Sequence, residues 1–246
     1  MILFHGSNIE VADPRLLGQT RGLDFGAGFY LTTSGEQAER FSHIVANRQK
    51  KGIAMVNVYE FDMEAAEKTL SIRRFLGADA EWLEFITDNR LKTYSGETYD
   101  VVIGAVANDT VMPTIQAYLG GFLTKEAALV TLKTSRLVDQ LCLKTDKALS
   151  LLRFVRAYSG NKGVIRMHGS ISPVIAMITP GIIQLLMENR SLTIEEASDV
   201  LYNSELYKAL EDEGTKVWRL SYPLLYDLLV EELETGRMTY PEEQIG

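Results

Sequence analysis

An α+β front followed by a small all-α bundle is the fold class this sequence predicts, and three observations predict it. Short apolar runs of strand character recur at 2–4, 54–61, 99–106 and 137–144. Segments of helical period lie between them. After the polar, glycine-rich run Gly160-Asn161-Lys162-Gly163 only helical patterns remain. The chain therefore divides into a front module, 1–158, and an acidic helical module, 170–246.

Charge divides in the same place. The chain of 246 residues has a net charge of −8. From Met167 onward 5 Lys+Arg face 14 Asp+Glu, out of 25 and 33 in the whole chain, which leaves the front with 20 and 19. A near-neutral front and an acidic tail imply modules with different partners. The acidic part would repel nucleic acid. With 46% hydrophobic and 24% charged residues the composition is that of an ordinary globular protein. No apolar run approaches 18 residues, so no membrane span is expected, and no basic stretch followed by an apolar core suggests a secretory leader. The lone Cys142 excludes an internal disulfide framework and suits a reducing cytoplasm; between Leu141 and Leu143 it reads as a core residue.

The elements follow in order. The run Ile2-Leu3-Phe4-His5-Gly6-Ser7 reads as a buried strand that stops at a polar edge, where a glycine allows close approach. Phe25-Gly26-Ala27-Gly28 turns the chain and delivers Phe29-Tyr30-Leu31, β-favouring residues that alternate between two faces. Ser34 and Gln37 form a capping-box pattern, and Ala38, Phe41, Ile44 and Val45 recur at helical spacing up to about Lys50-Lys51-Gly52. A strand is predicted at 54–61, an amphipathic helix with aromatic anchors at 80–90, and a strand at 99–106. Asn108-Asp109-Thr110 supplies turn and cap chemistry before short helices at 113–119 and 124–132. A strand at 137–144 and a helix at 146–154 complete the front. In the second module Thr179-Pro180 starts a helix with Pro at its first position, Thr193 to Glu196 is a capping box, Ser204 opens a helix that stops at Gly214, and Ser221 opens one that runs to Gly236. A bundle this small has a marginal core unless it docks on something larger, so docking on the front module is expected.

Three of these stretches carry the functional signal. His5-Gly6-Ser7 ends the first strand, Gly28-Phe29-Tyr30 opens the second, and Phe41 follows Tyr30 by eleven residues on the next helix. With Val106-Ala107-Asn108-Asp109 and Pro113-Thr114, they resemble the ADP-ribosyltransferase superfamily, in its diphtheria-toxin-like and poly(ADP-ribose)-polymerase-like branch with a His-Tyr-Glu triad. The first 155 or so residues are similar to an uncharacterised bacterial family of that superfamily. The resemblance implies a split β-sandwich around an NAD cleft, with NAD as co-substrate. It implies that His5 bonds the adenosine-side ribose, that the Gly6 backbone pairs with the nicotinamide carboxamide, that Ser7, Gly28 and Asn108 support the ligand, and that Tyr30 and Phe41 sandwich the nicotinamide ring. The helical module, with 201–207 and 210–213, is similar to small helical proteins encoded beside that family. This implies an accessory or antitoxin-like partner joined in one chain, which covers the cleft or restrains the enzyme.

The third triad position departs from the pattern. The matching strand places Gln140 where the family has Glu, and an amide hydrogen-bonds a ribose but supplies no negative charge. Asp139 is adjacent but on the opposite face of a strand, and Asp109 is a second candidate for the catalytic position. The resemblance therefore implies an NAD-dependent (mono)ADP-ribosyltransferase of a toxin or defence type, and the departure at Gln140 leaves as the alternative a catalytically inactive NAD-binding or protein-interaction module on the same fold. The acceptor, whether protein, nucleic acid or small molecule, is open. A dinucleotide-binding GxGxxG is rejected because Leu31 replaces the third glycine and a strand follows. Metal-ligand spacing is absent, and the second His-Gly-Ser at 168–170 has no strand before it.

Overall fold

The structure is a computed structural model that describes residues 1–16, 22–107, 111–133, 138–160 and 172–240. Asn108, Asp109, the linker 161–163 and the second His-Gly-Ser at 168–170 lie outside the described residues. The described chain is α+β, with seven strands in one mixed sheet, ten α-helices and two 3-10 turns.

Strands β1 (Ile2–Ser7), β2 (Phe29–Thr32), β3 (Met55–Phe61), β4 (Ile72–Arg74), β5 (Val101–Ala105), β6 (Asp139–Leu143) and β7 (Leu152–Ser159) stand in the order β4-β5-β6-β2-β1-β3-β7. All neighbours are antiparallel except β4 and β5. Pairing is extended within each half: β1 with β3 from Ile2↔Glu60 to Ser7↔Met55, and β2 with β6 from Phe29↔Leu143 to Thr32↔Gln140. Between the halves only Phe4↔Thr32 is in register. The structure thus has one mixed sheet with a single rung at its middle, where the resemblance implies a split β-sandwich.

Strand alternation sorts the core. Leu3, Phe29, Leu31, Tyr59, Phe61, Leu141 and Leu143 pack on one face. Helices α2 (Met63–Thr69) and α6 (Asp146–Leu149) bring Ala66 and Ala148 to the same cluster. Cys142 and Val102 point to the other face, where α3 (Ala80–Leu91), α4 (Met112–Leu119) and α5 (Lys125–Lys133) contribute Trp82, Ile86, Met112, Ile115 and Leu132. Trp82 has its indole N–H satisfied by the Ala105 carbonyl at 3.1 Å. Helix α1 (Gly35–Gln49) lies over β1 and starts where Ser34 accepts from the Gln37 amide. It can approach because residue 6 is glycine: a β-carbon there would overlap the Ala38 carbonyl oxygen and stand 2.8 Å from the Ser42 nitrogen.

The C-terminal part is helical: α7 (Ser172–Arg190), α8 (Ile194–Tyr202), α9 (Glu205–Glu211), 3-10 turns Glu213–Thr215 and Val217–Arg219, and α10 (Tyr222–Thr235). Thr193 and Glu196 form both bonds of a capping box at α8, and Gly236 ends α10 at φ 70°. These helices are not a free-standing bundle. Ile178, Ile182, Leu225 and Leu229 join Trp82, Met112 and Ile115 in one continuous apolar cluster.

Five elements differ from the sequence prediction: α6, β7, α7, α2 and β4. The helix expected at 146–154 stops at Leu149, and Leu152–Ser159 pairs along all of β3 as an edge strand. Its Leu-Arg-Phe-Val-Arg sequence has no clean period, and the open edge of β3 decides it. The helix expected to start at Thr179-Pro180 begins at Ser172 and carries Pro180 inside. Pro180 is exposed and the buried face of α7 runs through it at Ile178 and Ile182, so packing overrides the breaker. Finally, α2 and the three-residue β4 were not predicted; both are short and lack a readable pattern. Among the described residues no helix is long and apolar enough to cross a membrane.

Candidate functional site

A cavity of about 250 Å³ opens where the sheet halves meet, beneath α1. His5, Gly6, Gly28, Tyr30, Phe41 and Gln140 all line it. Ser7 does not; it is buried at 2% exposure. Asn108 and Asp109 lie outside the described residues, but Val106 and Ala107 just before them reach the cavity wall.

The seam exposes main-chain polar groups to this cavity. Met1 and Phe61 exchange both backbone bonds across β1 and β3. Alternation along an antiparallel strand then turns the N–H and C=O of Leu3 and His5 toward β3, and those of Phe4 and Gly6 toward β2. Phe4 finds Thr32. The next partner of Gly6 would be Tyr30, but the register stops one rung earlier, and the Tyr30 carbonyl instead lies 2.8 Å from the Nδ1 of His5. A carbonyl only accepts, so Nδ1 carries the hydrogen. The Gly6 backbone therefore lies one rung past the last pair of β1 with β2, turned toward β2 beside the cavity.

Aromatic rings flank this edge. The Tyr30 hydroxyl donates to the Gly26 carbonyl at 2.6 Å and accepts from the Phe25 amide at 3.0 Å. Both roles of the phenol are used, and burial pushes its pKa well above the ordinary tyrosine value. Tyr30 is therefore a fixed ring, not an acid or base at neutral pH. Phe25 stacks beside it, with centroids 6.4 Å apart and an interplanar angle of 14°. Gly26 is held at φ 76°, a conformation that favours glycine. Gly28 has no room for a β-carbon against the Cys142 sulfur and the Leu143 carbonyl, so β2 lies close on β6. Phe41, half-buried on α1, lines the cavity from the helix side.

Gln140 pairs in register with Thr32 and is 9% exposed. Being two residues from Cys142, which faces Tyr30, it shares that face. Asp139 is exposed and does not line the cavity. Among the described residues Asp24 is the carboxylate that does, and it is bound to Arg90 at 2.5 Å with both side chains under a tenth exposed. It also accepts from the Ala107 amide at 3.3 Å. The sequence did not single out this pair, since the partners stand 66 residues apart and neither belongs to a periodic pattern.

The far wall comes from the C-terminal helices. Arg219 and Leu220 line the cavity, and front-module side chains bond most of the carbonyls of the segment 215–220, whose Val217, Trp218 and Leu220 also pack in the core. Arg48 donates to those of Thr215 and Lys216, Gln116 to those of Trp218 (3.1 Å) and Leu220 (2.8 Å), and Arg90 to that of Arg219 (2.8 Å). Arg48, Arg90 and Gln116 are all buried. A hydrogen bond from a charged donor contributes about 1.5–3 kcal/mol, so this strap is firmly seated. No single-sequence pattern marks these contacts.

Cys142 is free and fully buried, and burial pushes its thiol up to about 12. The thiolate that reacts with maleimide is then scarce. The folded protein is expected to stay unlabelled at pH 8 for hours and to gain one adduct in guanidinium, as read by intact mass.

Residues 1–154 match the model of a family described as "Protein of unknown function (DUF3990)". Comparison with curated proteins and with solved structures gave no match.

Proposed function

The chain belongs to the DUF3990 family through more than half its length, and from the residues that line its cavity we propose that it is an NAD-dependent mono-ADP-ribosyltransferase of a toxin or defence type. Its sheet halves then act as the split β-sandwich of that superfamily, opened at the seam. The observation that carries the reading is the Gly6 main-chain edge, set beside the rings of Tyr30 and Phe41. A primary carboxamide has one acceptor and one donor side, the complement of a strand edge, and an aromatic ring attached to it fits between aromatic walls. Nicotinamide has both. At about 250 Å³ the cavity lies just below the usual ~300–1,000 Å³ of ligand clefts, which suits the nicotinamide-ribose end of NAD better than the whole dinucleotide.

NAD supplies the ADP-ribose group: the bond from ribose C1′ to the nicotinamide nitrogen breaks with its electrons on nicotinamide, and an acceptor or water bonds C1′ and loses a proton. His5 and the Gly6 backbone orient the ligand, Tyr30 and Phe41 hold the ring, and the Gln140 amide bonds a sugar hydroxyl. Stabilising an oxocarbenium-like state is the part that Gln140 performs poorly, since it brings no charge. That residue favours the second reading, a catalytically inactive NAD-binding or protein-interaction module. The C-terminal strap restrains the cleft by fixing its far wall.

Nicotinamide release from NAD tests the reading. Loss of the stacking platform in Tyr30→Ala should lower release by roughly tenfold, the kinetic equivalent of about 1.5 kcal/mol. Tyr30→Phe keeps the ring and should stay near wild type, and His5→Ala should fall with Tyr30→Ala. Gln140→Glu should raise release by about 100-fold. Binding of NAD with no release by wild type or by Gln140→Glu would select the inactive module instead; no binding would discard both.

A further inference from the structure

Helix α7 carries two apolar faces. Ile178, Ile182 and Leu186 are buried in the shared core. On the opposite side Ala176, Pro180, Ile183 and Met187 recur at steps of four, three and four residues and line a groove of about 820 Å³. Ile194 and Tyr202 of α8 and Tyr207 of α9 form its other wall. This is not ordinary surface: Met187, Ile194 and Tyr202 are 38%, 56% and 49% exposed, and the two tyrosines stack edge to face at 4.9 Å, which holds the wall in shape.

The charged groups in and beside the groove share one sign, and Thr179 and Gln184 add uncharged polar groups to its lining. Glu211 lines it, Glu195 adjoins Ile194, and Asp199 stands one turn before Tyr202. Among the described residues none of the three is in an ion pair, whereas the nearby cations Lys208 and Arg190 are paired with Glu205 and Glu234. Pro180 adds an acceptor. It has no N–H for the carbonyl four residues back, so the exposed Ala176 carbonyl lacks its usual i+4 donor. An apolar floor with helical spacing thus has a rim of unneutralised carboxylates and a main-chain acceptor.

We propose that this groove is a docking site for a basic amphipathic helix of a partner protein. An apolar stripe repeating every three to four residues packs against the stripe of α7 and the tyrosine wall. Lysine or arginine flanking that stripe meets Glu195, Asp199 and Glu211, and one such side chain reaches the Ala176 carbonyl. The site lies outside the family-matched residues 1–154 and does not depend on the chemistry of the cavity.

Fluorescence anisotropy of the full chain with a labelled 18-residue Leu/Lys amphipathic helical peptide tests this. Its Leu/Glu counterpart, with the same apolar face, is the control. The Leu/Lys peptide should bind at least ~10-fold more tightly than Leu/Glu, as expected when complementary charge excludes the wrong partner. Met187→Glu and Ile194→Glu should each weaken it by ~10-fold or more. Both positions are on the surface, so circular dichroism should stay unchanged. Equal binding by wild type and both variants, equal binding of the two peptides, or no binding would overturn the proposal. So would self-association in sedimentation that Ile194→Glu abolishes, since the occupant would then be a second copy.

Discussion

Arg90→Met is expected to destabilise the protein by about 3–5 kcal/mol, the usual cost of removing one partner of a buried ion pair. Its guanidinium bonds the Asp24 carboxylate and the Arg219 carbonyl with almost no access to water. The variant leaves Asp24 charged in a cavity wall and releases one end of the strap. A denaturant titration should show the loss as a lower midpoint at unchanged slope. The double variant Asp24→Leu/Arg90→Met removes both charges and should recover a large part of the difference. If Arg90→Met alone costs under 1 kcal/mol, the pair is solvated and the cavity wall is looser than its geometry indicates.

Gly6→Val is expected to cost about 3 kcal/mol, the upper end for overpacking a tight contact. The added β-carbon meets the Ala38 carbonyl and the Ser42 nitrogen, which are helix backbone and cannot rotate aside. Relief requires α1 to lift off β1, and Phe41 moves with it. Thermal melting reads the stability loss. NAD affinity should fall together with it, because the ring wall and the strand edge are displaced by the same shift. A melting temperature within about 1 °C of wild type, against the several degrees that a loss of this size implies, would show that α1 does not bear on Gly6.

These two positions also show what was legible in the sequence. Gly6 was readable: a glycine behind an apolar run and a histidine announces close approach, and the resemblance carried by His5, Tyr30 and Phe41, all within 36 residues of one another, implied the shared cavity that the three line. Most strands and helices were readable for the same reason, since apolar period and caps such as Ser34 and Thr193 are local. Arg90 was not readable. Its partners are Asp24 and Arg219, 66 and 129 residues away, and an arginine at the end of an amphipathic helix looks like any solvated one. Gln116 and Arg48 were hidden likewise, because a side chain that bonds a distant carbonyl leaves no mark on the periodicity of its own helix. The edge strand β7 was missed because its identity depends on the vacant side of β3.

The single rung between Phe4 and Thr32 has a mechanical consequence. Within each half of the sheet several consecutive pairs must break before anything slides, but across the middle only one stands in the way. What joins the halves is therefore side-chain packing more than backbone bonds: Leu3, Tyr59 and Phe61 of one half share an apolar cluster with Phe29 and Leu31 of the other, and the Phe29 and Tyr59 rings meet edge to face at 5.7 Å. Any widening of the mouth beneath α1 has to shear that cluster as well as the rung and the His5 contact.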